Sequence, residues 1–390
     1  MSKISKKKQW ELINRGAAEI IGESELKEKI ESGKKLKIKF GADPTSPNLH
    51  LGHTVVMQKL RQFQDLGHVV VFIIGDFTAM IGDPSGRTKE RRPMSKEEIE
   101  ECLKTYEHQI FKILDWENLE IVRNSRWLNE MGSEGLIKLA SNYTVAKMLE
   151  RNDFSERYKK GDPLAVSEFL YPLLQGYDSV VVESDVEIGG TDQKFNLLVG
   201  RDFQKTSGQK PQAIMTMPLL EGTDGVKKMS KSYGNHIGID EPPEEIFGKV
   251  MSISDELMYR YYTLLTQDNI DKVKEGHPME AKKKLAMRIV SRFHGREEAE
   301  KAFLNFEKVF SEGQLPEDMP EFFMEKPAKI TDVIYESGLV DSKSRIKRLI
   351  KQGAVTVDGD KVRDFNLVLK PKSGAVVRVG KRKFLKVIRK

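Results

Sequence analysis

Apolar residues recur along this chain at two spacings, and the change from one to the other marks where its elements begin and end. Residues 9 to 33 place apolar positions at helical intervals among lysines and glutamates, which predicts short amphipathic helices leading into a first strand, Leu36 to Phe40. That strand stops at Gly41 and a turn containing Asp43, Pro44, Thr45 and Pro47; helical spacing resumes at about Leu49 and is clearest from Thr54 to Leu66. Gly67 and His68 then turn the chain into Val69 to Ile74, apolar enough for a strand buried on both faces. Strand, helix and strand at this spacing predict a right-handed βαβ unit in a parallel sheet, with ligands gathering at the carboxyl ends of the strands.

Further on, LEIVRNSRW predicts a third strand ending at Asn124, residues 133 to 160 read as helical, and so does Ser167 to Asp178. VVVESDVEIGG reads as a strand ending in a Gly-Gly turn, and Ala213 to Leu220 as the last strand of the sheet. Charged helices run from Pro242-Pro243 to about Phe323, and a linker with Pro316, Pro320 and Pro327 introduces a basic tail.

The first strand–turn–helix junction carries candidate chemistry. Its sequence KIKFGADPTSPNLHLGH delivers a helix N-terminus, where unpaired backbone N–H groups and partial positive charge receive phosphates. His50 and His53 lie three apart in the opening turn and can face one ligand, with Gly52 between them letting a flat base approach. Alone, HxGH is short enough to arise by chance and to be an exposed helix start. The second half of the signal is KMSKS, Lys228 to Ser232, where two lysines in a segment with Gly222, Gly225 and Gly234 suit a mobile cationic loop gripping a polyphosphate. Tyr171, Gln175 and Asp178 fall on one helical stripe, a phenol, an amide and a carboxylate that could form a polar pocket or simply face solvent. Behind the Gly-Gly turn, Asp192 is suited to accept hydrogen bonds from ribose hydroxyls. Asp83, in the GDPSG turn, is expected to point into the cleft beside Asp43 and His50.

Composition narrows the class. With 390 residues, 32% charged and 38% apolar, the chain predicts two or three globular domains, and its longest apolar run is far short of a membrane span. The basic N-terminus has no apolar segment after it, so no secretion signal is expected. A single cysteine, Cys102, excludes an internal disulfide and fits a reducing compartment, with cytoplasmic location the expectation. The net charge of +6 is uneven: residues 328 to 390 hold 17 Lys+Arg against 6 Asp+Glu, a net of +11 that leaves −5 for the rest, so a polyanionic partner is expected at the tail.

Taken together and in order, HLGH, GDPSG, YPLLQGYD, GGTDQ and KMSKS make the chain resemble the bacterial tyrosyl-tRNA synthetases over essentially its whole length, in the branch with an intact KMSKS. DSKSRIKRLIKQGAVTVDGDKV resembles the S4 RNA-binding motif, two short helices with a basic face followed by a turn and strands. The resemblance implies an α/β fold: a Rossmann-like parallel-sheet catalytic domain (1–222) with a connective insertion at about 84–188, a helical anticodon-binding domain with the KMSKS loop (223–326), and a small α+β S4 domain (327–390).

It further implies adenylation of L-tyrosine by ATP with Mg²⁺ and no protein ligand site for the metal, then transfer of the tyrosyl group to tRNA(Tyr), in a homodimer joined through the insertion. Carried onto this sequence, Thr45, His50 and His53 would meet the phosphates, Lys228 and Lys231 the departing pyrophosphate, with Ser232 closing the loop. Asp43, Gly52, Gly190 and Asp192 would surround the adenosine. Asp83, Tyr171 and Gln175 would bind the α-amine of tyrosine and Asp178 its phenol, with Thr78, Asn124 and Gln193 at further substrate positions. Lys343, Arg345, Lys347, Arg348 and Lys351 would meet RNA. Two positions depart from the pattern: Lys39 stands where many members have a tyrosine that helps bind the phenol, and Glu187 where many have glutamine.

Competing readings are a tryptophanyl-tRNA synthetase, whose indole N–H could also donate to Asp178, a small-molecule nucleotidyltransferase, which needs no basic tail, and an RNA-binding scaffold, which would not keep both motifs. The absence of GxxxxGK[ST] excludes a P-loop NTPase, and HxxH without its glutamate is not a metalloprotease helix.

Overall fold

The computed structural model describes residues 5–44, 49–85, 95–310, 319–370, 374–380 and 383–389. The chain divides into two compact units, residues 1–296 and 297–390, where the sequence had suggested three segments.

The first unit is built on a six-stranded sheet. It opens with α1 (Lys6–Asn14), β1 (Glu19–Ile21) and α2 (Glu23–Glu31), followed by β2 (Lys37–Ala42), α3 (Leu51–Asp65) and β3 (Val69–Ile74). The three-residue β1 interrupts what the apolar spacing predicts as helix; it exists because β6 (Ala213–Met217) offers it an antiparallel partner, Ile20 opposite Met215. After α4 (Lys96–Phe111), β4 (Leu119–Arg123) joins β3 in parallel. Then come α5 (Ser125–Ala140), α6 (Val145–Met148), α7 (Asn152–Lys160), α8 (Val166–Val182), β5 (Val186–Gly190) and α9 (Lys194–Thr206) before β6. Val180 to Val182, apolar enough to pass for the start of a strand, are instead the last turn of α8, which ends where Glu183 adopts a left-handed conformation (φ 50°).

The strand order is β1-β6-β5-β2-β3-β4, with all but β1 parallel. The chain adds β3 and β4 on one side of β2, then crosses to add β5 and β6 on the other, so a crevice opens between the carboxyl ends of β2 and β5. Ile38 and Lys39 of β2 pair with Val186 and Glu187 of β5 just below it. β3 is buried along almost its whole length, as its composition predicts.

Lys59, on the buried face of α3, donates to the carbonyls of Leu12, Ile13 and Arg15 at 2.8 to 3.0 Å, a cation on the open carbonyl end of α1. The helices α10 (Pro243–Met251), α11 (Asp255–Leu265), α12 (Ile270–Lys274) and α13 (Pro278–His294) complete this unit. They are tied to it by hydrogen bonds from Tyr261 Oη to Glu221 O (2.8 Å) and from Arg15 to Gln267 O and Asp268 O (2.9 and 2.7 Å).

The second unit contains most of α14 (Arg296–Phe310), then β7 (Glu321–Met324), β8 (Ala328–Lys329), α15 (Ile330–Glu336), α16 (Lys343–Lys351), β9 (Val355–Val357), β10 (Asp360–Lys361), β11 (Val368–Leu369), β12 (Ala375–Val379) and β13 (Lys383–Arg389). β7 falls where sequence spacing extends the helices to about Phe323; it is a strand because β13 gives it a parallel partner. Ile346 and Ile350 of α16 join Ile330, Val333, Ile334, Val377 and Leu385 in one core, leaving the basic positions of α16 outside.

Within residues 84–188, the span that the resemblance leads one to expect as an insertion, α7 is held to α8 by a two-point ion pair. Arg157 Nη1 and Nη2 lie 2.5 and 2.9 Å from the Glu168 carboxylate, with both side chains buried. Replacing Arg157 by Met strands the Glu168 carboxylate, and we expect the midpoint of thermal or urea unfolding to fall by an equivalent of about 3 kcal/mol. An Arg157→Met variant as stable as the parent would show that this pair does not hold the insertion.

Candidate active site

One polar network floors the crevice. Asp43, just beyond β2, accepts from Thr78 Oγ1 at 2.7 Å and from Tyr171 Oη at 2.9 Å. Thr78 Oγ1 accepts in turn from Asn124 Nδ2 (3.1 Å), whose amide also reaches Asp178 Oδ2 at 3.4 Å. Trp127 Nε1 donates to the other Asp178 oxygen at 2.8 Å. A side chain at Gly75 would stand 2.1 Å from Asp43 Oδ1 and 2.4 Å from Thr78 Oγ1, so this glycine makes room for the Asp43–Thr78 bond. A second chain of bonds runs from Gln193 Nε2 to Asp83 Oδ2 (2.7 Å) and from Asn196 Nδ2 to both Gln193 Oε1 (3.2 Å) and Gln175 Oε1 (3.0 Å).

Burial sets the charge states here. The Tyr171 phenol is pushed well above its usual range by burial and by Asp43, so it stays protonated and donates. Burial pushes the Asp178 carboxyl up to about 7, against the opposing effects of Lys39, Trp127 and Asn124, while Glu187 adds to the rise.

A cationic and imidazole cluster lies at the start of α3. His50 is its N-cap residue, in extended conformation, and its backbone is held opposite Gly238 by Leu51 N to Ile237 O (2.9 Å) and Ile239 N to Leu49 O (3.1 Å). The His53 Nδ1 accepts the His50 backbone N–H at 3.2 Å, which leaves the ring proton on Nε2, free to donate outward. The two rings lie 3.8 Å apart, and the buried His50 Nδ1 has no hydrogen-bond partner among the described residues. A side chain on Gly52 would meet the His50 ring at 3.0 Å, so it is the histidine that packs over this glycine.

Burial, then His53, His236 and Lys231, lower His50 to about 2, so that ring is neutral at physiological pH; desolvation by its surroundings, then Lys231, favours the neutral form of His53 as well, although this residue keeps an exposed surface. His236 brings a further imidazole 6.4 Å from His50, its Nδ1 buried without a partner. The KMSKS segment folds back on residues 220 to 222 through Met229 N to Leu220 O (2.8 Å) and Gly222 N to Lys227 O (2.9 Å). It is pinned by Asn235, which accepts from Ser230 N at 2.8 Å and donates to Asp224 at 2.9 Å. Lys231 is lowered by desolvation, with Cys102 and Glu241 opposing, and Lys228 Nζ lies 3.3 Å from Asp192 Oδ2.

Residues 31–311 match the family described as tRNA synthetases class I (W and Y), and residues 312–387 match the tyrosine–tRNA ligase SYY-like C-terminal domain. A tyrosine–tRNA ligase of Aquifex aeolicus is 54% identical over 97% of this chain and 98% of its own length. That of Oleidesulfovibrio alaskensis is 52% identical over the same shares. The chain belongs to the tyrosyl-tRNA synthetase family. Its activity is that of an aminoacyl-tRNA ligase charging tRNA with tyrosine at the expense of ATP. The fold agrees: the Archaeoglobus fulgidus tyrosyl-tRNA synthetase solved with L-tyrosine superposes with a TM-score of 0.64 at 23% identity, covering 77% of this chain and all of that one.

Within this synthetase, Asp43, Thr78, Asn124, Tyr171 and Asp178 form one connected set, and Asp83, Gln175 and Gln193 a second. Asp83 reaches across to Gln193, and no bond between it and either Asp43 or His50 occurs among the described residues. Gly190 ends β5, Asp192 follows it, and Ser232 sits in a short 3₁₀ turn, Lys231–Tyr233. Thr45 lies outside the described residues. In the second unit Lys343, Arg345, Lys347, Arg348 and Lys351 are all exposed; Lys343 pairs with Asp332 at 2.8 Å and Lys347 lies over the Phe365 ring.

Sequence reasoning missed Trp127, Asn196, Gly75 and His236. Trp127 lies three residues after Asn124 at the start of α5, a spacing that could have paired them.

The raised Asp178 pKa carries a sign. An unfolded aspartate ionises near ~3.9, so folding opposes ionisation from there up to about 7, and the penalty is complete above that pH. Asp178→Asn is therefore expected to gain melting temperature relative to the parent as pH rises from 5 to 8. A difference that stays flat across that interval would show that Asp178 ionises without cost.

Proposed function

We propose that the two halves of the crevice divide tyrosine activation between them, the first network holding the amino acid and the α3 cluster the triphosphate. Tyr171, Gln175 and Asp83 bind the α-ammonium, Asp178 accepts the phenolic hydrogen, and Thr78, Asn124 and Gln193 hold these groups in place. A carboxylate has about four acceptor directions, and Trp127 and Asn124 supply one donor to each Asp178 oxygen, which leaves capacity for a phenol.

The tyrosine carboxylate attacks the α-phosphorus of ATP, the bond to the β-phosphate oxygen breaks, and pyrophosphate leaves with tyrosyl-adenylate formed. A hydroxyl of the terminal ribose of tRNA(Tyr) then attacks the tyrosyl carbonyl and releases AMP. The protein supplies no nucleophile; its contribution is position and charge. Neutral His53 donates through Nε2 to the oxygens of the five-coordinate phosphorus, His50 and Thr45 meet the phosphates with it, and Lys231 and Lys228 follow the charge onto pyrophosphate, Ser232 with them. Asp43, Gly52, Gly190 and Asp192 border the adenosine. The Lys228–Asp192 contact must then part as ATP enters, since each group has its own ligand atom to meet.

The observation carrying this reading is the closeness of three imidazoles at the start of α3, with the His50 ring 3.8 Å from His53 and 6.4 Å from His236, and Lys231 near enough to lower all three. Mg²⁺ arrives with ATP in this scheme, as part of the nucleotide substrate. We also propose that residues 223–326 and the S4-like tail engage tRNA, with the exposed lysines and arginines of α16 on its phosphates. A single buried cysteine, Cys102, leaves the chain without an internal disulfide, which suits the reducing cytoplasm. No helix among the described residues is long and apolar enough to cross a membrane.

Pyrophosphate exchange across the twenty amino acids should respond to tyrosine alone and fall by roughly 10²-fold or more in kcat in Lys231→Ala with tyrosine KM little changed. Exchange stimulated by tryptophan, or undiminished in the variant, would overturn the assignment. For the homodimer, Ile137, Val145, Tyr158 and Val166 of the insertion expose 65 to 76% of their surface, the kind of apolar area a second copy would cover. Sedimentation should show a dimer that Ile137→Glu/Val166→Glu converts to monomer; an unchanged sedimentation coefficient would place the contact elsewhere.

A further inference from the structure

Beneath the tyrosine end of the crevice lies a charged pair that the sequence flagged only as two unrelated departures. Lys39 and Glu187 face each other across β2 and β5 with Nζ and Oε1 2.8 Å apart, 0% and 1% exposed. The Lys39 ammonium also donates to Ser179 Oγ (2.7 Å) and to the Gln175 carbonyl (2.9 Å), and so grips the turn of α8 that carries Gln175 and Asp178. Glu187 Oε2 accepts from Ser179 Oγ at 3.0 Å and from Gln212 Nε2 at 2.5 Å, fixing the carboxylate from the far side.

A fully buried ion pair is seldom retained for stability, because desolvating both ions offsets their attraction and an apolar pair of similar volume does as well. Its position suggests what it is for. We propose that Lys39, anchored by Glu187, is a positioning residue of the tyrosine-phenol subsite, orienting the α8 turn and supplying the positive charge beside which a buried carboxylate can serve as hydrogen-bond acceptor. This rests on Asp178 being the phenol acceptor.

The electrostatics have the required direction. After burial, Lys39 is the strongest influence on Asp178 and favours the carboxylate, while Glu187 opposes it more weakly, so the pair presents its positive end. The other groups acting on Asp178 are the Trp127 and Asn124 donors, and Tyr171, one turn away on α8, feels its charge in return. None of these carries a positive charge, so removing Lys39 removes the cation that helps keep Asp178 ionised near neutral pH. Because phenylalanine lacks the hydroxyl that this carboxylate would bind, the same charge contributes to selectivity.

Lys39→Met alone leaves Glu187 buried and unpaired and is expected to fold poorly. The test is therefore the double variant Lys39→Met/Glu187→Gln, with Asp178→Asn beside it, in pyrophosphate exchange with tyrosine and phenylalanine from pH 6 to 9. We expect the double variant to melt within a few degrees of the parent and keep its ATP KM. Its tyrosine KM at pH 7.5 should rise by about 10-fold or more, its preference over phenylalanine should fall by a similar factor, and the pH below which tyrosine affinity weakens should move upward. A double variant with unchanged tyrosine KM, selectivity and pH midpoint would overturn the proposal, and so would a rise in tyrosine KM with the pH midpoint and selectivity unmoved, which is the mark of a merely structural pair. Should the double variant not fold, Lys39→Arg, which keeps the charge, must retain the parent's pH midpoint and selectivity, and loss of either overturns the proposal equally. If Asp178→Asn leaves tyrosine affinity intact, it is the Asp178 assignment that fails, a result separable from either of the others.

Discussion

The structure turns on the reversal of strand order between β2 and β5. A parallel sheet that grows first to one side and then to the other cannot cover its own middle at the carboxyl ends, because the connecting helices depart in opposite directions. That gap is where Asp43 leaves β2 and Gly190 and Asp192 leave β5, and both halves of the candidate site are assembled around it. The start of α3 closes one wall and α8 the other, each delivering side chains that a single element could not bring together.

Placing polar groups there imposes a cost that the site puts to use. Asp178 and Tyr171 are buried, and His50, His53 and Lys231 sit among groups that desolvate them. Burial thereby shifts each of them towards its less charged form. In the proposed scheme, imidazoles and a lysine that have already lost much of their hydration give up little more when a polyphosphate arrives, which is what preorganised stabilisation of a developing phosphorane requires. Asp178 is the exception, a group the proposed scheme needs as an anion, and it is the one that Lys39 favours in its ionised form. The donors from Trp127 and Asn124 and the charge of Lys39 oppose the same desolvation from three directions.

Glycines make these approaches possible where a side chain would block them. Gly75 leaves the space in which Asp43 and Thr78 bond, and Gly52 lies under the His50 ring. The pairing of Leu49 to Leu51 with Ile237 to Ile239 ties the HLGH turn to the segment that follows KMSKS. The lysine loop is therefore anchored to the same frame that holds the histidines.

The sequence alone determined the parallel sheet, its helices, both signature motifs and the basic face of α16, because each is written in local spacing: apolar runs, periods near 3.6, and glycine-bounded turns. It also put Tyr171, Gln175 and Asp178 on one stripe, since helical geometry needs no tertiary information. Tertiary structure decided the rest. β1 and β7 are strands only because β6 and β13 pair with them, and a three- or four-residue apolar segment has no period to reveal this. Trp127 and His236 meet Asp178 and His50 from segments distant in the chain, and Asn196, a near neighbour of Gln193, reaches across to Gln175 on another helix. Lys39 and Glu187 stand 148 positions apart in the numbering, and nothing local links them. Only the register of β2 against β5 makes two isolated departures into one buried pair, because Coulombic and hydrogen-bonding partners are chosen by distance in space, which the order of residues does not encode.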